Sequence, residues 1–438
     1  MLSNSFSQFL FKFLTGFFSI VFAFMAIPFS TGKEPPEAPE DFTPVIRFAI
    51  TSDVHLNGEP DQPAAIRLGE LFRDTYAYAE GEKYDKLDAV IVAGDFATRG
   101  RDEEYELFNS IVDENIREGT ELICVLGNHE FINYRDYDAS ITYDHYKEFI
   151  HEDVDRHLVI NGYHFIACSY AEDGKTFDAK KDWLKENLDE ATKENPDKPV
   201  FVIQHPHPFG TVYGSVNWGD FTLRTVYEKY PQIFDFSGHS HYCAADPRVI
   251  WQGAFTAVGT GSLSAFMGNL NYIEGDEDAP GESGGFWICE ADAEGNVRLK
   301  LYDIVSHRFF EKTDYYLTDI TKKSKHLYTW SNLKSLDTAP IFPDGARISA
   351  QKDDEGNTLL TFPNADCRWN TEDYKITVKS ENTEAFADTV ISNYVRADLT
   401  EMSVNIGNIA PGEYTVSITP VSPYAKEGKA LKGNITVE

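Results

Sequence analysis

Five short turns hold the residues able to do chemistry: Asp53-Val54-His55, Gly94-Asp95, Gly127-Asn128-His129-Glu130, His205, and Gly238-His239-Ser240-His241. Taken one at a time, each has a plain structural account as a capped turn, a satisfied histidine or a turn glycine. Packing demands alone do not produce five in succession, each at the end of an apolar run. Two Asp carboxylates, one Asn carbonyl and four imidazoles, with no thiolate, suit borderline divalent metals (Zn, Mn, Fe or Ni) rather than Ca. Seven such donors exceed one site with room for substrate, and suit two metals sharing a bridging carboxylate. Two metals about 3.5–4 Å apart can hold a hydroxide and clamp both ends of an in-line displacement at phosphorus. The glycines at 94, 127 and 238 are expected to permit tight turns that aim neighbouring side chains inward.

The elements that must position these turns are short strands alternating with amphipathic helices. The strand-like runs are VIRFAITSD (45–53), LDAVIVAGD (87–95), ELICVLGNH (121–129), HLVINGYHFIACSY (157–170), KPVFVIQH (198–205) and QIFDFSGH (232–239). Between them, 63–80, 102–118 and 178–194 carry apolar residues at helical spacing, the last with Asp178 as the expected N-cap. This alternation predicts a layered α/β domain. In open α/β sheets ligands bind beyond the carboxyl ends of the strands, so distant turns converge there. After 250 the pattern is mostly strand, with Ala-Glu-Gly-Asn (293–296) as a hairpin turn. Composition marks 33–44 as a flexible leader and 312–337 as a linker. Regular short strands over 338–438 predict a separate β-sandwich.

The set DVH, GD, GNHE, H and GHSH across 53–241 resembles that of the calcineurin-like metallophosphoesterases, with coverage of 45–311. The resemblance implies a four-layer αββα sandwich and hydrolysis of phosphate mono- or diesters by a metal-bridging hydroxide. It implies one metal held by Asp53, His55, Asp95 and His241, and another by Asp95, Asn128, His205 and His239, with Asp95 bridging. His129 is implied not as a ligand but as a contact to the phosphoryl oxygen or a proton donor to the leaving group, and Asp95 and His129 as the catalytic pair. Purple acid phosphatases carry a tyrosine three positions after the second-motif Asp, where this chain has Thr98, and lack the first-motif histidine present here as His55. A coloured tyrosinate–iron centre is therefore not expected. In Gln-His-Pro-His-Pro either His205 or His207 could be the ligand; the strand-proximal His205 fits better. Residues 338–438 are similar to fibronectin type III modules, chiefly through Pro-Gly-Glu-Tyr-Thr-Val-Ser-Ile (411–418), a resemblance that assigns no function.

The remaining composition bounds partners and location. With 71 acidic against 39 basic residues the formal charge is −32, which favours solubility and works against binding a nucleic-acid polymer. Residues 13–29, apolar apart from Thr15 and Ser19 and preceded by Lys12, read as an export signal within 1–32. The run approaches the roughly 18 residues that span a bilayer, so an uncleaved anchor, with surface or membrane association, stays open. The chain is expected to be secreted or at the cell surface, its C-terminal domain free to contact a wall or another protein. Five cysteines without a C-x-x-C pair predict no disulfide framework and no cysteine metal site. The competing reading is a surface adhesion protein with an inactive phosphoesterase-like scaffold. Three lesser features favour bland readings: the acidic loop 272–285 as solvated, Gly-Thr-Gly-Ser-Leu-Ser-Ala (259–265) as a strand end, and Tyr213, Trp218 and Phe221 as packing or a stacking surface.

Overall fold

The computed structural model describes residues 32–133, 140–267, 282–381 and 383–438. The apolar run 13–29 and residues 272–281 of the acidic loop lie outside the described residues. Among the described residues no helix is long and apolar enough to cross a membrane.

Among the described residues fourteen strands build the first unit: β1 (Ile46–Thr51), β2 (Ala89–Val92), β3 (Glu121–Cys124), β4 (Arg156–Ile160), β5 (Tyr163–Ala167), β6 (Val200–Ile203), β7 (His207–Pro208), β8 (Gly219–Asp220), β9 (Ile233–Ser237), β10 (Ile250–Gln252), β11 (Thr256–Gly259), β12 (Gly285–Ala291), β13 (Val297–Asp303) and β14 (Arg308–Leu317). One six-stranded sheet has the order β14-β13-β12-β1-β2-β3 and the other β10-β11-β9-β6-β5-β4. The strands read as continuous apolar runs because both faces are covered. Successive side chains of a strand point to opposite faces. Phe48, Ile91, Phe201 and Phe236 enter the core between the sheets, whereas Ala49, Val90, Val92 and Val202 join the helix-bearing core. The Phe48 ring meets Phe165, Phe201 and Phe236 edge-on at 5.3, 4.9 and 5.8 Å, which locks the two sheets face to face. Helices Pro63–Glu80, Asp102–Asn115 and Lys181–Glu194 contribute Leu68, Phe72, Phe108, Leu184 and Leu188 to the outer core.

Several expectations needed revision. The run 157–170 is a hairpin, β4–β5, turned at Asn161 and Gly162 with φ of 50° and 77°, as an Asn-Gly turn requires. Asp178 does not cap the following helix; its carboxylate accepts from Thr222 and pairs with Lys181. The stretch 312–337 is not a loose linker. It completes β14, forms helix Trp330–Leu336, and buries Tyr328 and Leu333 in the inter-sheet core. Its polar composition hides these few anchors. The leader 33–44 is likewise tied down: the Asn332 side chain bonds both backbone groups of Lys33, and the Phe42 ring meets Tyr316 at 5.6 Å. All five cysteines are free and buried.

The C-terminal unit has seven antiparallel strands: β15 (Ser349–Lys352), β16 (Thr358–Pro363), β17 (Asp373–Lys379), β18 (Glu384–Ile391), β19 (Glu401–Asn405), β20 (Gly412–Val421) and β21 (Leu431–Val437). They form sheets β15-β16-β19 and β18-β17-β20-β21 around Phe362, Tyr374, Ile376, Val416 and Ile418. The two units meet at Arg248, whose Nη2 lies 2.5 Å from Asp246 and 2.6 Å from Glu372, while Nη1 donates to the Pro423 carbonyl.

Candidate metal centre

The carboxyl ends of β1, β2 and β3 in one sheet face those of β6 and β9 in the other, and the five turns meet across that seam. Their backbones are unusual. Asp53, His55, Asp95, His239 and His241 have φ of 52°, 53°, 52°, 72° and 54°, five of the ten positive-φ non-glycine residues among those described. Each such residue costs of order 1–3 kcal/mol and persists where its surroundings over-determine it. Here Asp53 N donates to Gly94 O and His55 N to Asp95 O, both at 3.0 Å, and Gly238 N to His205 O at 2.8 Å. The glycines serve in two ways. Gly94 has φ +86°, and a Cβ there would stand 2.6 Å from His205 Nδ1. Gly127 and Gly238 lack positive φ; they are needed because a Cβ would collide with Asp95 and with Ser52 and Asp53. Close approach, not turn freedom, explains these two.

Asp53 Oδ1 is buried and makes no hydrogen bond of acceptable geometry. Three imidazole Nε2 atoms converge on it, His241 at 3.0 Å and His55 and His205 at 3.9 Å. His205 Nε2 also lies 3.0 Å from Asp95 Oδ2. His55 Nε2 faces His241 Nε2 at 3.0 Å, and His205 Nε2 faces His239 Nδ1 at 3.1 Å. Two imidazole lone pairs aimed at each other repel, so a proton or a cation belongs at each meeting. The donors fall into three overlapping groups, Asp53-His55-His241, His55-Asp95-His129 and Asp95-His205-His239, each within 4.8 Å. A desolvated carboxylate oxygen and paired ring nitrogens fit two divalent cations of the borderline class.

Protonation follows the same geometry. Burial, then His241, pushes His55 down to about 4, and burial, then His205, pushes His239 down to about 3, leaving lone pairs for ligation. Burial alone would lower His205 too, but Asp95 and Asp53 raise it to about 9. Asp95 stays well below the usual carboxylate range despite burial, because His205 holds its charge.

His129 lies beside this cluster. Its N–H donates to Asp95 Oδ1 at 2.9 Å, and its Nδ1 is 2.8 Å from the Thr98 carbonyl oxygen. A carbonyl only accepts, so Nδ1 carries the proton and Nε2, 4.0 Å from Asp95 Oδ2, is free to exchange one. Asn128 sits between Gly127, where a Cβ would collide with Asp95, and His129, whose backbone N–H donates to Asp95. His207 is elsewhere: its ring nitrogens lie 2.9 Å from Ser237 Oγ and 2.8 Å from Ser240 Oγ.

Three supporting residues escaped the sequence reading. Buried Glu130 accepts from the backbone N–H groups of Asp95, Ala97 and Gly127 at 3.2, 2.8 and 2.6 Å, clamping the second and third turns together. Ser52 bonds Asp53 Oδ2 and Thr260. Thr98, noted only for not being tyrosine, donates to the His55 carbonyl at 2.8 Å and so links His55 with His129. The one signal for Glu130 was its place in GNHE.

Fold and donor set together define a two-sheet α/β scaffold with mixed carboxylate–imidazole groups at the strand ends that could hold metal ions. Residues 46–243 match the family model described as calcineurin-like phosphoesterase. The purple acid phosphatase PPD1 from yellow lupin (Lupinus luteus) seeds superposes with a TM-score of 0.43 and 12% identity, over 66% of this chain and 56% of that one. The chain thus spans little over half the lupin protein's length. An endo-β-1,4-mannanase from Thermotoga petrophila superposes with a TM-score of 0.26 and 12% identity, over 89% of this chain and 97% of that one. Neither likeness bears on function at these scores. No curated protein matches the chain.

Proposed function

We propose that the chain is an exported phosphoesterase with two divalent cations, acting on phosphate mono- or diesters. The observation that carries this reading is Asp53 Oδ1, buried without a hydrogen bond where three imidazoles converge. Asp53, His55, Asp95 and His241 would hold one cation, and Asp95, Asn128, His205 and His239 the other. When bound, the pair supplies Lewis-acid polarisation of the phosphoryl oxygens and water of lowered pKa. Asp95, fixed by the His129 N–H and facing His205, keeps its charge and joins the two halves. His129, held through Nδ1 by the Thr98 carbonyl, would present Nε2 to the leaving oxygen; Nε2 first takes up a proton from solvent to give the imidazolium, and then gives that proton to the leaving oxygen. Export rests on the apolar run 13–29. The 3 + 4 antiparallel sheets, with the Tyr414 hydroxyl bonded 2.8 Å back to the Ala410 carbonyl, support a fibronectin III-like sandwich.

Elemental analysis of the purified chain, followed by hydrolysis assays on p-nitrophenyl mono- and diesters with Mn, Zn, Fe or Ni, tests the reading. Two equivalents of metal and turnover are expected. Asp95→Ala should abolish turnover, and His129→Ala should lower it about 10²–10⁴-fold without unfolding. A metal-free, inert protein would favour the adhesion reading instead.

A further inference from the structure

We propose that Trp218 forms a stacking shelf beside the metal centre, which selects phosphate esters carrying a planar aromatic group, nucleobase or aryl. This deepens the phosphoesterase reading and rests on it. The Trp218 ring stands edge-to-face against the candidate ligand His239, with centroids 5.2 Å apart and planes at 89°. It is nevertheless 41% exposed. Its side chain also meets the Tyr242 hydroxyl, and its plane is set against His239. Tyr242 in turn lies 5.0 Å from the Tyr213 ring, and the Arg248 guanidinium sits 3.8 Å over Tyr213.

The loop bearing Trp218 is held as firmly as the ring. Strands β7 and β8 close its base, pairing His207 with Gly219 and Pro208 with Asp220. Trp218 N donates to Gly214 O at 2.9 Å and Thr211 N to Ser215 Oγ at 2.9 Å. Tyr213 and Tyr242 are buried, so packing accounts for them. Phe221 is more exposed, but its ring partner is Phe209 at 5.8 Å. Trp218 combines exposure, a fixed plane and contact with a candidate ligand. A large, pre-set π-face that loses little freedom on binding is suited to stack a planar group. The formal charge of −32 favours one phosphate on that group over a polyanion.

The test uses the full chain loaded with metal and three probes: adenosine 5′-monophosphate, p-nitrophenyl phosphate and glycerol phosphate. For Trp218→Ala, KM for at least one planar ester should rise about 5- to 100-fold, with kcat changing less. That rise should exceed any change for glycerol phosphate at least fivefold, and Trp218→Phe should recover part of it. The planar probe more affected tells nucleobase from aryl. Isothermal titration of the same probes provides a readout independent of turnover. Planar-ester binding that Trp218→Ala weakens, without hydrolysis, keeps the shelf and removes the phosphoesterase reading. Turnover of all three probes with equal or no loss in Trp218→Ala keeps the phosphoesterase and overturns the shelf. A protein that neither binds nor cleaves any probe overturns both.

Discussion

His205 Nε2 stands 3.0 Å from Asp95 Oδ2, although His205 follows a strand of one sheet and Asp95 a strand of the other. The opposite ring nitrogen, Nδ1, lies 2.9 Å from the Ala93 carbonyl oxygen, which orients the ring so that Nε2 points at the centre. Two sheets are thus joined at their ends by one imidazole as well as by the phenylalanines between them.

That relationship separates the two neighbouring histidines. His205→Ala should lose about one equivalent of metal and most activity. His207→Ala should retain both metals, but unfold at lower temperature because Ser237 and Ser240 lose a buried partner, at a cost of about 1–3 kcal/mol. Elemental analysis and thermal unfolding of both variants decide it; metal loss confined to His207→Ala would reverse the assignment.

Glu130→Gln probes the clamp between the second and third turns. A glutamine amide nitrogen cannot accept, so the variant gives up part of a three-fold set of bonds. Metal affinity should fall about 10–100-fold while the fold is kept. Titration of metal into the apo form measures this, and unchanged affinity would show that the clamp does not orient the site.

Removing metal should lower both activity and melting temperature. A cation that binds only the native state adds about 2.7 kcal/mol at a hundredfold excess over its Kd. Melting curves with a chelator, then with Mn, Zn or Fe restored, should track that loss and recovery.

Arg248→Ala leaves the carboxylates of Asp246 and Glu372 buried without their cation, a loss of about 3–5 kcal/mol. Because Arg248 also covers Tyr213, the variant should loosen the contact between the units. Differential scanning calorimetry should show one transition in the native chain and two in the variant.

Acid should weaken the β4–β5 hairpin. His157 Nε2 lies 2.8 Å from His164 Nδ1, and burial, then His157, holds His164 below its usual range. A base depressed in the folded state contributes stability that is intact above its unfolded value near 6.5 and is lost as pH falls below it. His164→Gln should flatten that part of the melting-temperature profile; an unchanged slope below pH 6.5 would discount the pair.

The sequence on its own determined which residue types stand at the ends of which apolar runs. That was enough to name all seven proposed ligands and His129, because a strand followed by a glycine or an Asp-x-His turn is a local pattern. It also anticipated the layered α/β order and the antiparallel C-terminal strands, since periodicity is local too. It favoured His205 over His207 only by nearness to the strand, because alternation gives both the same side two positions apart. It missed the roles of Glu130, Ser52 and Thr98, whose partners lie on other turns. It took 312–337 for a linker because a few buried anchors carry little weight in composition. Above all, runs buried on both faces do not reveal their neighbours, so only the tertiary structure decided which turns belong to which sheet. The phenylalanine core stacks those sheets with their carboxyl ends facing, and that packing brings Asp53 and Asp95 against the imidazoles of 205, 239 and 241.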